Sequence, residues 1–339
     1  MSELRAAIHR MAEGQHLDAD LMSRAMREIM TGQAEEAQIG GFLMALRVKG
    51  ETPVEIAAAA RVMRELASRV IIDTEGLTDI VGTGGDGASL FNVSTASAFV
   101  AAAAGVRVAK HGNRSVSSKS GAADVLEAAG CRLDLNADQV AALIDELGVA
   151  FMFAPSHHSA MKHAIGARKA LGVRTLFNLL GPLTNPALAP NQVLGVFDVD
   201  LVRPMAEVMQ ALGARHVLVV HSDEGLDEIS PVRSTTVAEL KGGEIRDYRL
   251  EPDDFDVHVE SLDSLAVETA QDSLALIEAA LGGQIGPAAD MIALNAGAAV
   301  YVSGRAEDLG AGVGRAREVL ADGRGLERLR RYAQRSCSL

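Results

Sequence analysis

The sequence predicts an α/β fold, with a small N-terminal helical domain plus a larger α/β domain whose mostly parallel, mixed sheet is flanked by helices. Two observations support this class. From Ile80 onwards strand and helix patterns alternate, which is typical of a largely parallel sheet. Residues 1–72 carry helix patterns alone, with apolar side chains at helical spacing and no strand signal. We therefore expect the helical domain to span residues 1–72 and the α/β domain residues 73–339.

The helical region contains four predicted helices, and the last has the clearest start signal. Thr52-Pro53-Val54-Glu55 is a capping box with proline at the first helical position. Glycine or a capping residue marks the ends of the others. The four helices are expected at 2–13, 18 to about 30, 35–48 and 53 to about 68.

The α/β region divides into strands and helices at glycines and apolar runs. The first strand is expected to end at Ile80-Val81. Further strands are expected at 107–109, 149–153, 193–197 and 216–220, with a hairpin of 235–240 and 244–249. Helices are expected at 96–104, 122–129, 139–147, 161–171, 202–212, 267–281 and 287–302, with two more from residue 306.

Composition excludes several classes of protein. The 339 residues are 48% hydrophobic and carry a net charge of −13, which argues against a nucleic-acid partner. No uninterrupted apolar run approaches the roughly 20 residues of a membrane span, and the charged N-terminus does not resemble a signal peptide. The only cysteines are Cys131 and Cys337. We therefore expect a cytoplasmic protein without a disulfide framework.

Two polar loops each connect a predicted strand to the start of a helix. The first contains the glycine-rich turn of residues 82–87, followed by Asn92-Val93-Ser94-Thr95, whose short polar side chains suit a helix N-cap. The second runs from Lys110 to Gly121. Free backbone N–H groups and the helix dipole favour anions at such positions. Both loops are therefore candidate anion sites.

The distribution of charge supports the same interpretation. No Asp or Glu occurs from Gly87 to Ala123, where composition would place roughly five. The same stretch contains four cations, and a cationic region in an acidic chain predicts a phosphate site. These cations are Arg107, Lys110, Arg114 and Lys119.

The glycine pattern does not match a common nucleotide-binding motif. Gly82, Gly84 and Gly87 fit G-x-G-x-x-G, but the helix begins later than the third glycine. The second strand is followed by Lys110-His111 where a dinucleotide site would have an acid. No Gly-Lys-Ser/Thr follows the glycines, so the turn is not a P-loop.

An acidic loop follows the apolar strand at 217–220. Asp223, Glu224, Asp227 and Glu228 lie within six residues at what should be the strand's carboxyl end. Such oxygen ligands suit Mg²⁺, which commonly joins carboxylates to substrate phosphates. A solvated acidic turn is an equally good interpretation of these residues taken alone.

Several long motifs together resemble the anthranilate phosphoribosyltransferase family. They are GTGGDG, NVST, KHGNRSVSSKSGAADVLE, FAPSHHSAMKHAIGARKALGVRTLFNLLGPLTNP and HSDEGLDEIS, in the family's order over nearly the whole chain. The resemblance implies transfer of 5-phosphoribose from phosphoribosyl pyrophosphate to the amino group of anthranilate, which gives N-(5-phosphoribosyl)anthranilate and pyrophosphate in tryptophan biosynthesis. It also implies a homodimer formed through the helical domain, a returning hinge segment near residues 165–186, and no nucleic-acid or membrane partner.

The resemblance also implies which residues bind the substrates. Mg²⁺ is the expected cofactor, held by Ser94, Asp223 and Glu224, with Asp227 and Glu228 undecided. Lys110 and Arg114 are expected to stabilise charge, and no general acid or base is identified. Anthranilate contacts are expected from Gly82, Asn113, His158 and Arg168. Donor contacts are expected from Gly82, Gly85, Asp86, Leu90, Asn92, Val93, Ser94, Thr95, Lys110, His111, Gly112, Asn113, Arg114, Ser115, Val116, Ser117, Ser118 and Ala122.

Three residues depart from the family pattern. Leu90 stands where Thr or Ser is usual, Ala122 where Ser is common, and Ser159 where Pro is usual.

Two other functions compete with this assignment. One competitor is a pyrimidine nucleoside phosphorylase, which would lack the Asp223-Glu224 pair and the GPLTNP segment. The other is a non-enzymatic nucleic-acid-binding relative, which would need a basic surface.

Overall fold

The computed structural model describes residues 2–85, 87–115 and 119–339. Predictions that fall on Asp86, Val116, Ser117 and Ser118 lie outside the described residues. Within those three ranges, no helix is both long enough and apolar enough to cross a membrane.

The described part of the chain forms fifteen helices and seven strands, besides short 3₁₀ turns. The helices are α1 Glu3–Ala12, α2 Ala19–Met30, α3 Glu36–Lys49, α4 Pro53–Leu66, α5 Val93–Ala103, α6 Ala122–Ala128, α7 Ala137–Leu147, α8 Ala154–His157, α9 Lys162–Leu171, α10 Leu176–Leu180, α11 Val202–Ala211, α12 Ala270–Leu281, α13 Pro287–Val302, α14 Leu309–Ala321 and α15 Arg324–Cys337. The strands are β1 Leu77–Gly82, β2 Arg107–Gly112, β3 Val149–Phe153, β4 Asn191–Gly195, β5 His216–Ser222, β6 Thr235–Lys241 and β7 Glu244–Leu250.

The seven strands of the described chain form one mixed sheet in the order β3-β2-β1-β4-β5-β6-β7. The first five strands are parallel, and β6 and β7 form an antiparallel hairpin beside β5. This confirms the predicted fold class. The chain winds outward from β1 through β2 to β3 and then returns to the other side of β1 with β4. Ligands of open α/β sheets bind at such a switch point, outside the carboxyl ends of the strands.

Alternate residues of the central strands belong to two different cores, because strand side chains point to opposite faces. Val193 and Leu218 pack with α5 and α13 on one face. Leu194 and Val217 pack on the other face with α11 and with the N-terminal helices α1–α4. Helices α9 and α10 contribute to this second core as well. The domain boundary at 72/73 and the returning segment 165–186 stay predictions.

The largest difference from the predicted elements is the length of β2. The prediction ended it at Ala109, but Lys110, His111 and Gly112 continue the strand, in register with residues 151–153 of β3. This matters for the site, because Lys110 is a strand residue instead of the first residue of a loop. Its strand register is fixed by pairing with β3, which the local sequence does not reveal.

Smaller differences occur at the ends of several other elements, of which β4 and α12 are examples. Strand β4 covers 191–195 instead of 193–197, and α12 begins at Ala270 instead of Val267. The cap of α12 is Thr269, whose hydroxyl accepts the N–H of Asp272. The Val267 N–H bonds to the Ser89 carbonyl, which holds this segment outside the helix. The short helices α8 and α10 were not predicted.

Candidate active site

The glycine turn lies at the carboxyl end of β1, directly under the acidic loop. The Gly84 N–H donates to Asp227 Oδ2 at 2.7 Å. A Cβ on Gly82 would overlap the Asp227 carboxylate, and one on Gly195 would overlap the Asp227 carbonyl oxygen. Glycine is therefore required at the ends of β1 and β4 for the acidic loop to cross them. Asp227, whose role was undecided from sequence, holds the glycine turn.

The amino end of α5 lies near the same end of the sheet, where Ser94 contacts Lys110 of β2. Asn92 is its N-cap residue, as predicted, but its side chain does not cap the helix. The Asn92 amide instead donates to the Ser120 carbonyl and accepts from the hydroxyls of Ser120 and Ser273 at 2.7 and 2.8 Å. This joins the two predicted anion loops to α12. Because the Asn92 side chain does not cap α5, it does not offset the positive end of the helix dipole at the first turn, which contains Val93, Ser94 and Thr95.

Lys110, which the charge pattern placed in the predicted phosphate site, does not reach the surface of the described structure. Its side chain is buried, with Nζ donating to the Ile80 carbonyl at 2.6 Å and to Ser94 Oγ at 3.1 Å. Burial lowers its pKa, an effect opposed by the negative charges of Asp79 and, more weakly, Glu228 and Asp227. Lys110 thus lies beneath the site and fixes the Ser94 hydroxyl.

The buried counter-charge is Asp79, a residue that the sequence interpretation missed. Burial raises the pKa of Asp79 to about 6, although the charge of Lys110 and hydrogen bonds from Asn185, His111 and Ile80 oppose the rise. Asn185 Nδ2 donates at 2.7 Å and the His111 N–H at 3.1 Å. A carboxylate in a strand whose other residues are uncharged was the available signal, because buried acids need partners.

The remaining cations of the acid-free stretch are paired with acids from neighbouring elements. Arg107 begins β2, so it lies at the end of the strand opposite the crevice. The four cations therefore do not form one unpaired group, which linear sequence could not show because it does not reveal which acids lie nearby in space. The phosphate site predicted from this stretch stays a prediction. The pairs are Arg107 with Asp73 and Asp145, Arg114 with Asp124 and Glu127, and Lys119 with Glu268.

The described part of the second loop folds back onto the start of α6. The N–H groups of Ser115 and Gly121 both donate to Asp124 Oδ2, at 3.0 and 2.9 Å. The Asn113 carbonyl accepts the N–H of Ala123. A Cβ on Gly121 would overlap the backbone of Ser115, so the close approach requires glycine. Ala122, the first residue of α6, lies beside this contact.

The two predicted metal acids have different surroundings. Asp223 is half exposed, and its Oδ2 accepts from Arg249 Nη2 at 2.5 Å. Glu224 Oε1 accepts from the Ser230 hydroxyl at 2.7 Å. Its Oε2 is buried without a hydrogen-bond partner among the described residues. An unpaired buried carboxylate oxygen is costly unless a cation binds it, so Glu224 fits a metal ligand.

The described residues contain no group of three or more His, Cys, Asp or Glu that could hold a metal ion. The predicted third ligand, Ser94, contacts Lys110 in this structure, and no described contact joins it to Asp223 or Glu224. Mg²⁺ often takes one or two carboxylates, with waters and substrate phosphates completing its shell. The donor set therefore suits a magnesium ion that binds together with a phosphorylated substrate.

Arg168 lies on α9, which packs in the second core together with the N-terminal helices. Its guanidinium carbon is 5.3 Å from the centroid of the Phe177 ring, and burial lowers its pKa. No carboxylate of the described residues pairs with it. A partly buried guanidinium with a fixed stacking partner can take a planar carboxylate through two hydrogen bonds.

Two neutral histidines contact each other between β2 and the start of the α9 segment. The rings of His111 and His158 have centroids 5.1 Å apart. Burial lowers the pKa of His111 to about 3 and that of His158 to about 4. Charge repulsion from His158 adds to the effect on His111, and repulsion from His157 adds to the effect on His158. His157 is structural, since its ring contacts the Ser68 carbonyl. Leu90, the remaining predicted donor contact, bridges to Ala266.

Comparisons with known proteins agree with this architecture. Residues 5–67 match the helical bundle domain of a glycosyl transferase family, and residues 74–326 match its a/b domain. Anthranilate phosphoribosyltransferase from Alkalilimnicola ehrlichii is 59% identical, over 98% of this chain and 98% of its own length. The enzyme of that name from Cellvibrio japonicus is also 59% identical, again over 98% of both chains.

Solved structures show the same relationship. Anthranilate phosphoribosyltransferase from Thermus thermophilus is 44% identical with a TM-score of 0.93, over 99% of this chain and 100% of its own. The Saccharomyces cerevisiae enzyme, solved with phosphoribosyl pyrophosphate and Mg, is 28% identical with a TM-score of 0.90, over 99% and 98%. The fold and site define a glycosyltransferase. Within that class, the chain belongs to the anthranilate phosphoribosyltransferase family, which confirms the resemblance of its motifs.

Proposed function

We infer that this chain transfers the 5-phosphoribosyl group of phosphoribosyl pyrophosphate to the amino group of anthranilate, the second step of tryptophan biosynthesis from chorismate. The observation that carries this assignment is the 59% identity, over 98% of the chain, to relatives of that name. A structure of the Saccharomyces cerevisiae relative contains 4-fluoroanthranilate, and another contains phosphoribosyl pyrophosphate and Mg. The site described above offers matching groups for both substrates.

The donor is proposed to lie in the crevice over the carboxyl ends of β1 and β2. Its pyrophosphate would face the glycine turn at Gly82 and Gly85, and the uncapped first turn of α5. The backbone N–H groups there supply fixed dipoles that stabilise negative charge as it develops on the leaving group. Lys110 contributes from below by holding Ser94, instead of touching the phosphates directly. The contributions of Asp86 and of residues 116–118 stay predictions.

Mg²⁺ is the proposed cofactor, with Glu224 and Asp223 as its protein ligands and Ser94 as a predicted third. The support is the unpaired buried Oε2 of Glu224, which Ser230 fixes through the other carboxylate oxygen. A bound Mg²⁺ would neutralise phosphate charge and so make pyrophosphate a better leaving group. Asp223 would use Oδ1, since Arg249 occupies Oδ2.

The acceptor is proposed to bind from the helical side, with its carboxylate on Arg168. This orients the amino group of anthranilate towards C1 of the ribose. A new N–C1 bond forms while the C1–O bond breaks, pyrophosphate leaves with the electron pair, and the nitrogen loses a proton. Holding two reactants in this geometry is itself a large part of catalysis. His158 and Asn113 would line the acceptor site, and the neutral rings of His158 and His111 keep it free of positive charge that would compete with Arg168.

The activity is tested by following the fluorescence of anthranilate together with released pyrophosphate. We expect loss of anthranilate, with one pyrophosphate released per molecule, only when phosphoribosyl pyrophosphate and Mg²⁺ are both present. Phosphorolysis of a pyrimidine nucleoside by inorganic phosphate, without consumption of anthranilate, would instead support the nucleoside phosphorylase. Binding of oligonucleotides without either activity would support the non-enzymatic relative.

A homodimer and a cytoplasmic location are proposed from the resemblance. Light scattering on the purified protein tests the first, with twice the mass of one 35.5 kDa chain expected.

A further inference from the structure

The glycine turn, residues 82–87, requires contacts from other segments to fix its backbone conformation. Gly84, Gly85 and Gly87 all have positive φ, at +68°, +82° and +77°. A run of such glycines has many accessible backbone conformations, so fixing one of them costs entropy when a ligand binds. A turn that is already held in the binding conformation avoids much of that cost.

Two side chains from other parts of the chain hydrogen-bond to this turn. Asp227, in the acidic loop, accepts the Gly84 N–H at 2.7 Å. Arg174, in the segment between α9 and α10, donates from Nη2 to the Gly85 carbonyl. The space beside Gly85 is filled by the arginine, because a Cβ there would lie 2.9 Å from Arg174 Nη2.

Arg174 is itself fixed by two further contacts. Its guanidinium carbon lies 4.0 Å from the centroid of the Phe197 ring, in the loop after β4. Its backbone carbonyl accepts a hydrogen bond from Arg47 Nη1 on α3. No carboxylate of the described residues pairs with Arg174. Its side chain therefore stacks on a ring and donates to a carbonyl, which are the roles of a planar guanidinium.

The segment that carries Arg174 also carries the proposed acceptor arginine. Gly172 ends α9 in the left-handed conformation, and its N–H bonds to the Arg168 carbonyl. Only one residue, Val173, separates this cap from Arg174. The helix that presents Arg168 and the turn that faces the donor are thus connected through one side chain.

We propose that Arg174 is a positioning residue that holds the glycine turn ready for the donor and ties it to the helix bearing Arg168. This inference rests on the proposed donor site. We expect lysine at position 174 to lose this positioning role. A lysine ammonium is not planar, so it cannot stack on the Phe197 ring while it donates a hydrogen bond to the Gly85 carbonyl.

The test compares four variants of the full-length protein with wild type: Arg174→Ala, Arg174→Lys, Phe197→Leu and Arg246→Ala. Arg246 is the matched control, since it is exposed, pairs with Glu244 on the hairpin and changes the net charge equally. Both Arg174 variants should raise the KM for phosphoribosyl pyrophosphate at least about fivefold. Their kcat should stay within about threefold and their Tm within about 2 °C of wild type, because Arg174 is exposed. Arg246→Ala should leave all of these values within twofold.

Phe197→Leu should raise the donor KM in the same direction, and its combination with Arg174→Ala should be no worse than Arg174→Ala alone. Non-additivity is expected when one residue acts through the other. The inference is overturned by a wild-type donor KM in Arg174→Ala, by recovery in Arg174→Lys, or by a lower Tm without a change in KM.

The variant Glu224→Gln shows whether a negative result concerns the role of Arg174 or the proposed donor site itself. If Glu224→Gln weakens donor binding and Arg174→Ala does not, the donor site stands and the role of Arg174 is wrong. If neither variant affects donor binding, the donor site itself is wrong.

Discussion

Arg168 and Glu224 each present a charged group that no described side chain neutralises. Arg168 has an aromatic ring beneath its guanidinium and no acid beside it, and Glu224 has one satisfied and one unsatisfied carboxylate oxygen. The buried charges of Lys110 and Asp79, in contrast, offset each other. Unpaired, partly buried charges are costly, which makes these two residues the best candidates for contacts to substrate and metal.

Replacement of Arg168 by alanine should affect anthranilate much more than the donor. Loss of a charge-assisted, two-point contact costs roughly 1.5–3 kcal/mol, so the KM for anthranilate should rise about 10- to 150-fold. Steady-state kinetics with each substrate varied in turn checks this. Lys169→Ala, at the exposed neighbouring position, is the control and should change neither KM. An anthranilate KM within twofold of wild type in Arg168→Ala would exclude the assigned role.

His158 should make stability depend on pH. Its folded pKa of about 4 lies below the value of about 6.5 for an unfolded histidine, so the unfolded chain binds more protons between these values. The stability is fully present above about pH 6.5 and falls as the pH falls towards 4. Between pH 7 and 5, wild type should lose about 2 kcal/mol more than His158→Gln. Urea unfolding at both pH values measures this, and equal losses would contradict the burial of a neutral His158.

At the scale of elements, the site is built where two strand ends pass under one loop. Gly82 and Gly195 end β1 and β4, and Asp227 crosses both. Sequence predicted the glycine turn, the acidic loop and the strands before them. It did not predict that the two would touch, because Gly84 and Asp227 are far apart in the chain and nothing local encodes their contact. It misplaced Lys110 for the same reason, since pairing with β3 sets the end of β2.

Gly195→Ala should therefore destabilise the protein more than its small change in volume suggests. The new methyl group would overlap the Asp227 carbonyl, and overpacking of this kind costs about 1–3 kcal/mol. Gly40→Ala is the control, because Gly40 lies inside α3 with open space around it and should gain up to about 1 kcal/mol. Urea unfolding of both variants checks the difference. Equal stabilities would show that the acidic loop does not lie tightly over β4.

At the scale of the molecule, the N-terminal helices pack against one face of the sheet, in the core that contains Leu194 and Val217. Helix α4 is tied to the α/β part by Arg61, which donates to the Ala211 carbonyl, and by Arg64, which donates to the Leu183 carbonyl. The alternation of strand and helix patterns and the helix-only N-terminal region predicted the fold class correctly. This shared core was not predictable. The apolar faces of α1–α4 indicate that these helices are packed, but they do not identify the element against which each helix packs.

In the proposed site, the glycine turn, the start of α5 and the acidic loop bind the donor, and Arg168 on α9 binds the acceptor. The central claim is that the donor lies over the carboxyl ends of the strands, bound through Mg²⁺ to Glu224.

Isothermal titration of phosphoribosyl pyrophosphate into wild type and Glu224→Gln, each with and without Mg²⁺, tests this claim most directly. Gln keeps the oxygen that accepts from Ser230 and replaces the unpaired oxygen with an amide. Wild type should bind at least about tenfold more tightly with Mg²⁺, and Glu224→Gln should lose that gain. Equal affinity of the two proteins in Mg²⁺ would contradict the account.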